Sequence, residues 1–265
     1  MIRDITIGQY YQTDSVIHRL DPRVKLGGTL LYIITLFLIG NIWGYFLATL
    51  VLATVIKLSR VPFGFMIRGM RAIAFLLVIT VVFNMFLTPG KPIFSFWIIT
   101  LTWEGLRTAV FMGWRLCLLL IGSSLMTLTT TPNHLTDGLE KSLKPLNKIG
   151  VPVHEIAMMM SIALRFIPIL LEETDKIMKA QIARGADFES GNLIQKAKAM
   201  VPLLVPLFIS AFRRANDLAM AMESRCYRGG EGRTKMKPLI YKKADKIGYA
   251  CVLVAMAVMI LVGRL

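Results

Sequence analysis

The sequence predicts an all-α membrane protein with about five spanning helices and a large basic helical insertion before the fifth. Three observations lead there. Of the 265 residues, 55% are hydrophobic and only 18% charged, with a mean hydropathy of +0.61; a soluble domain carries about a quarter charged residues. The apolar residues gather into long uncharged runs that punctuate polar stretches. The net charge is +15, from 31 Lys and Arg against 16 Asp and Glu, and it lies between those runs. Disordered, collagenous and disulfide-stapled secreted chains are excluded by the same arithmetic. Cys117, Cys226 and Cys251 are scattered, with no metal-ligand spacing and no framework of pairs.

Residues 1–25 hold Arg3, Asp4, Asp14, Arg19, Asp21, Arg23 and Lys25 and no apolar run, so no cleavable signal peptide is expected. The chain is then uncharged for 31 residues, 26–56, with Gly40-Asn41 near the middle. One crossing needs about 20 residues, roughly 30 Å of helix. The run therefore reads as a single tilted helix or as a short hairpin turning at Gly40-Asn41. Lys and Arg collect on the cytoplasmic side of membrane proteins, and this separates the two readings. The hairpin puts residues 1–25, 57–71 and 131–246 on one face, and with them 27 of the 31 Lys and Arg. A single helix would place Lys57, Arg60, Arg68 and Arg71 on the other face. Spans are thus expected at about 26–39, 42–56, 72–87 and 108–130, with a last one at 247–263. The N-terminal segment 1–25 and the insertion 132–246 are expected to be cytoplasmic.

Residues 91–103 are too few to span and rich in β-branched and aromatic types, which suits a small outer hairpin or interfacial loop. Arg115 falls inside the fourth apolar run. An ionisable residue there is a functional candidate; snorkelling or pairing within the bundle is the structural alternative.

The insertion is too long for a connecting loop and reads as three helical segments. The first follows Thr131-Pro132-Asn133. The second runs from after Pro152 to Arg184-Gly185, where glycine supplies the stop. The third runs from near Leu193 to Ser224-Arg225-Cys226. The last two have unlike halves. Residues 156–171 are apolar except for Ser161 and Arg165, whereas Glu172, Glu173, Asp175, Lys176 and Lys179 follow; residues 199–212 are apolar, with Pro202 and Pro206, before Arg213, Arg214 and Asp217. As a spanning hairpin these halves would carry Lys176, Lys179, Arg184, Lys196 and Lys198 outside, so they are expected to lean on the membrane instead. Both long segments end on an arginine between small residues. Such an arginine can simply complement the helix dipole. Two in one insertion also suit docking into acidic grooves, because the guanidinium fork pairs bidentately with carboxylate.

No catalytic set is readable. Gly90-Lys91 lacks the upstream glycine of a phosphate loop, so ATP is not expected on this chain. His154-Glu155 has no second histidine one turn on, and no metal site is expected. Glu172, Glu173 and Asp175 fit helix-face pairs with Lys176 and Lys179. Met158-Met159-Met160, Met220 and Met222 offer adaptable apolar surface. The positive charge follows from membrane topology, with no need of nucleic acid.

Three segments together resemble a known family. His18-Arg19-Leu20-Asp21-Pro22-Arg23-Val24-Lys25 is similar to the N-terminal signature of the transmembrane (T) component of energy-coupling factor (ECF) transporters. Ala180-Gln181-Ile182-Ala183-Arg184-Gly185-Ala186-Asp187 and Ala221-Met222-Glu223-Ser224-Arg225-Cys226 resemble its two short arginine motifs, the second departing by Ser and Cys where Ala and Gly are common. The order of spans, basic insertion and last span agrees, so the resemblance covers essentially the whole chain.

What the resemblance implies is a non-catalytic coupler in the bacterial cell membrane. Such a chain sits between two cytoplasmic ABC-type ATPases, which carry ATP and Mg, and a small membrane substrate-capture (S) subunit for vitamin or metal-ion uptake. The insertion becomes a coupling domain with two long crossing helices. Arg184 and Arg225, flanked by Ala183, Gly185, Ser224 and Cys226, would dock on the ATPases. Met158, Met159, Ile162, Phe166, Pro202 and Pro206 would face the S subunit. The alternative is a self-contained secondary transporter, which calls for polar groups at the midplane of the spans; Arg115 and Asn84 are among the few present.

Overall fold

The computed structural model describes residues 10–96, 99–188, 192–230, 232, 234, 236 and 238–264. It divides into two compact units: a bundle built from residues 8–141 and 239–265, and an inserted unit containing residues 142–238.

In the bundle, α1 (Val16–Arg19) is a single turn capped by Ser15, whose hydroxyl accepts from the His18 N–H. Next, α2 (Pro22–Leu38) begins where Asp21 accepts from the Arg23 N–H and Pro22 occupies the first turn, a position where its missing N–H costs nothing. The turn at Gly40-Asn41 leads into α3 (Ile42–Ser59), which Arg60 ends in the left-handed conformation, φ 56°. α4 (Phe63–Leu87) starts after Pro62. It therefore includes Arg68 and Arg71 and begins nine residues before the apolar run from Ala72, since helical geometry is indifferent to the charges that interrupt hydropathy. Strands β1 (Pro92–Phe96) and β2 (Ile99–Thr102) form an antiparallel hairpin, Phe96 opposite Ile99. The Thr102 hydroxyl accepts from the Gly105 N–H and starts α5 (Trp103–Thr129). α6 (Pro132–Leu143) follows.

The helix α9 (Lys243–Arg264) returns to the bundle and packs on α2 and α3, while α5 packs on α2, α3 and α4. Leu36, Ile39, Tyr45, Ala48, Leu118, Leu125 and Met259 meet in the core. Small residues permit close approach, as between membrane helices generally. A Cβ at Gly44 would lie 3.1 Å from the Gly263 Cα, and one at Gly122 would lie 2.6 Å from the Tyr32 ring. Outside this core, Trp43, Phe75, Phe83 and Leu87 are 60–76% exposed, an apolar surface of the kind that meets lipid or a partner protein.

In the inserted unit, a 3₁₀ turn (Lys144–Ile149) ends at Gly150, φ 84°. Then come α7 (Val153–Ala183) and α8 (Leu193–Glu223), each of 31 residues, or about 45 Å of helix. α8 starts with a reciprocal cap between Asn192 and Gln195. The two run antiparallel. Glu173 pairs with Arg214 at 2.9 Å, and Gln181 donates to the Pro202 carbonyl at 3.3 Å.

By length and apolarity, five described helices can cross a membrane: α3, α5, α7, α8 and α9. α2 is shorter, at 17 residues; α4 contributes the shorter apolar stretch Ile73–Leu87. The chain is an all-α multi-pass membrane protein with one small outlying hairpin. Length and apolarity alone rank α7 and α8 with the spans; only the charge argument treats them otherwise.

Candidate functional site

The arginines Arg184 and Arg225 occupy equivalent places. At the end of α7, the Ala186 N–H donates to the Gln181 carbonyl and the Gly185 N–H to the Ile182 carbonyl, 3.0 and 2.9 Å. At the end of α8, the Tyr227 N–H donates to the Met222 carbonyl and the Cys226 N–H to the Glu223 carbonyl, 3.1 and 2.8 Å. Both sets are the paired bonds of a Schellman ending, and in each the residue after the arginine is left-handed: Gly185 at φ 88°, Cys226 at φ 56°. The weak echo in sequence is thus a repeated backbone structure, with the arginine in one register twice.

Arg184 and Arg225 are both exposed, and among the described residues neither guanidinium makes a hydrogen bond or ion pair. Ala183, Gly185, Ser224 and Cys226 are exposed beside them. Because α7 and α8 are antiparallel, the two arginines stand at opposite ends of the pair. Their surroundings differ. A Cβ at Gly185 would touch nothing within 4 Å, whereas Arg225 lies on an open pocket of about 460 Å³ with Met158, Ile162, Leu218, Met222 and Tyr227. Met158 and Ile162, grouped in sequence with Met159, Phe166, Pro202 and Pro206, therefore sit at the Arg225 end. Met159 and Pro202 are exposed, Phe166 and Pro206 half-buried. Tyr227 and Arg228 also line the pocket; their position just past a helix end was the only signal in the sequence.

The N-terminal signature is a structural junction. Asp21 accepts from the Arg23 side chain through both oxygens, at 3.0 and 2.8 Å. Burial raises the Asp21 pKa, but the bonds from Arg23 outweigh it, and the carboxyl lies below its ordinary range. The Arg23 guanidinium lies 3.6 Å from the centre of the Tyr241 ring. Lys25 donates to the Thr129 carbonyl at 2.8 Å and the His18 carbonyl at 3.2 Å, satisfying the last turn of α5. Asp245, absent from the sequence reading, accepts from the Asp21 N–H at 2.8 Å; an acid in the first turn of a helix was its visible mark.

Arg115 is committed to the bundle. Its Nε donates to the Tyr45 hydroxyl at 2.8 Å and one terminal nitrogen to the Ile39 carbonyl at 3.3 Å. It thereby caps α2 at its Gly40 end, which is the structural alternative of the two readings.

A bundle of apolar helices interrupted by a helical insertion that ends its two long helices on matched arginines is the architecture of a multi-pass membrane protein. A family profile described as cobalt transport protein (CbiQ) matches residues 13–236. The chain is 57% identical over 263 residues, 98% of its length and 97% of the relative's, to the energy-coupling factor transporter transmembrane protein EcfT of Clostridium kluyveri. It is 56% identical over 244 residues to that of Thermosediminibacter oceani, covering 92% of each chain. To that of Bacillus subtilis it is 48% identical over 246 residues, 92% of this chain and 93% of the relative. The chain belongs to the EcfT family, the transmembrane T components of ECF transporters.

Proposed function

We propose that this chain is the non-catalytic coupling subunit of an ECF-type importer, joining two cytoplasmic ABC-type ATPases to an S subunit that captures a vitamin or metal ion. The observation that carries the reading is the pair of exposed arginines on matching helix endings, neither with a partner among the described residues. The cap fixes the backbone from which each guanidinium projects, and the planar fork suits a carboxylate at the floor of a groove. ATP and Mg belong to the ATPases; the coupler binds neither.

The membrane orientation follows from charge: the face carrying 27 of the 31 Lys and Arg is cytoplasmic, and with it the N-terminus and residues 132–246. On that face α7 and α8 act as levers. When ATP closes the two ATPases on each other, tips at opposite ends of an antiparallel pair are displaced relative to each other. The apolar halves, including Met159 and Phe166, then carry the movement to the S subunit, which releases its substrate inward.

The test is charge reversal. Arg184→Glu with Arg225→Glu should abolish co-purification of the ATPases with the tagged chain while membrane insertion is retained. Undiminished co-purification of both ATPases would overturn the docking reading.

A further inference from the structure

The two arginine tips share a backbone ending but not what surrounds it. Resting on the coupling reading above, we propose that the Arg225 end is a socket for one large apolar side chain of an ATPase with a carboxylate beside it. The two ends then dock by different chemistry: apolar burial together with charge at Arg225, charge alone at Arg184.

The difference begins in the sequence. The residues seven and three positions before each arginine share its face of the helix. Before Arg225 they are Leu218 and Met222; before Arg184 they are Ile177 and Gln181. Gln181 is already engaged, its amide donating to the Pro202 carbonyl of α8 at 3.3 Å. Met222 is half-buried, and with Leu218 it forms one wall of the pocket. Met158 and Ile162, one turn apart on α7, form a second. The third is the chain just past α8, Tyr227 to Gly229. This last wall is fixed in place: Gly229 is left-handed at φ 91°, and Gly230 lies so close on the His154 ring that a Cβ would overlap it.

The chemistry of the walls names the occupant. Both charged residues on the lining, Arg225 and Arg228, are positive and exposed, so a carboxylate is the charge that fits. The volume of about 460 Å³ falls in the range of about 300–1,000 Å³ of sites that enclose a small ligand, enough for a bulky side chain together with its acidic neighbour. The thioethers of Met158 and Met222 adapt to the apolar shape that enters. A buried apolar anchor ringed by polar contacts carries much of the energy of a protein interface. Salt separates the two ends, because it screens an exposed ion pair but does not weaken apolar burial.

The experiment reads each end through a thiol in the complete complex, purified by a tag on this chain. Cys226 lies on the pocket and is exposed; Ala183→Cys supplies the counterpart beside Arg184. Alkylation by a charged maleimide, with the modified peptides identified by mass, is followed at low salt and at about 1 M salt, where the screening length falls to roughly 3 Å. Relative to the chain without ATPases, both thiols should be protected at low salt. At high salt the protection at position 183 should be lost and that of Cys226 kept. Met222→Gln, which copies the polar residue of the other end, should make the protection of Cys226 salt-labile too. A photo-crosslinking side chain in place of Leu218 should join to an apolar residue of an ATPase with Asp or Glu within one helical turn of it, a readout that stands even if Met222→Gln fails to fold. Equal loss of protection at both ends in high salt, or a crosslink to lipid, to the S subunit or to a small molecule, would overturn the socket and leave docking by the arginines intact. Absence of protection at both ends at low salt would refute the coupling reading itself, and the socket with it.

Discussion

Cys226 closes α8 in the same left-handed turn in which Gly185 closes α7. The equivalence is unequal in energy. A residue with a Cβ crowds its own carbonyl at positive φ, at a cost of about 1–2 kcal/mol that glycine escapes. Cys226→Gly should therefore raise the stability of the chain by about 1 kcal/mol, and Gly185→Ala should lower it by a similar amount. Denaturant unfolding followed by the circular dichroism of the helices would read both. A stabilising Gly185→Ala would show that the turn is not under this constraint.

Arg115 should behave as a cap. Arg115→Met removes the donors to the Ile39 carbonyl and the Tyr45 hydroxyl, and hydrogen bonds from a charged donor contribute about 1.5–3 kcal/mol. We expect a lower thermal midpoint in detergent for the variant, with ATP-driven transport per folded complex unchanged. Normal stability with lost transport would make Arg115 a transport residue after all.

His18 predicts a pH dependence. Its Nε2–H donates to the Tyr11 carbonyl at 3.1 Å and its Nδ1 accepts from the Ser15 hydroxyl at 2.7 Å, an arrangement of the neutral ring. Burial holds its pKa below 6.5. The unfolded chain then takes up the proton at a higher pH than the folded one. His18 contributes its full stability above about pH 6.5, and the contribution is lost as pH falls through the folded pKa. His18→Gln should flatten this acid limb in a series of unfolding midpoints between about pH 8 and pH 5; an identical limb in both proteins would assign it to other groups.

Much of this was legible before any coordinates. Gly40-Asn41, together with the Lys and Arg that flank the uncharged run 26–56 on both sides, points to a turn, and α2 and α3 meet there. The helices of the insertion were marked by Pro132, Gly150, Pro152 and Gly185, each of which acts locally. Cys226 gives no such mark, because nothing in cysteine announces a left-handed turn; the likeness of the two arginine ends is visible in the sequence, but only the backbone bonds reveal that they share one ending. The bond from Asp21 to Asp245 joins residues 224 apart in sequence, and capping and periodicity rules say nothing over that distance. For the same reason the gathering of Met158 and Ile162 around Arg225 was out of reach: it depends on α7 and α8 running antiparallel.

The packing of α9 on α2 and α3 also bears on how the protein is made. α2 and α3 leave the ribosome long before α9 does, and in that interval the groove bearing Ile39, Gly44 and Gly28 has no occupant. The bundle is sealed only when α9 arrives, and the same event brings Asp245 to Asp21. A nascent chain stopped before Lys243 would be threaded into the membrane with an open seam and with the Asp21 N–H lacking its acceptor. Surveillance proteases could discriminate such a chain from the finished one by that seam alone.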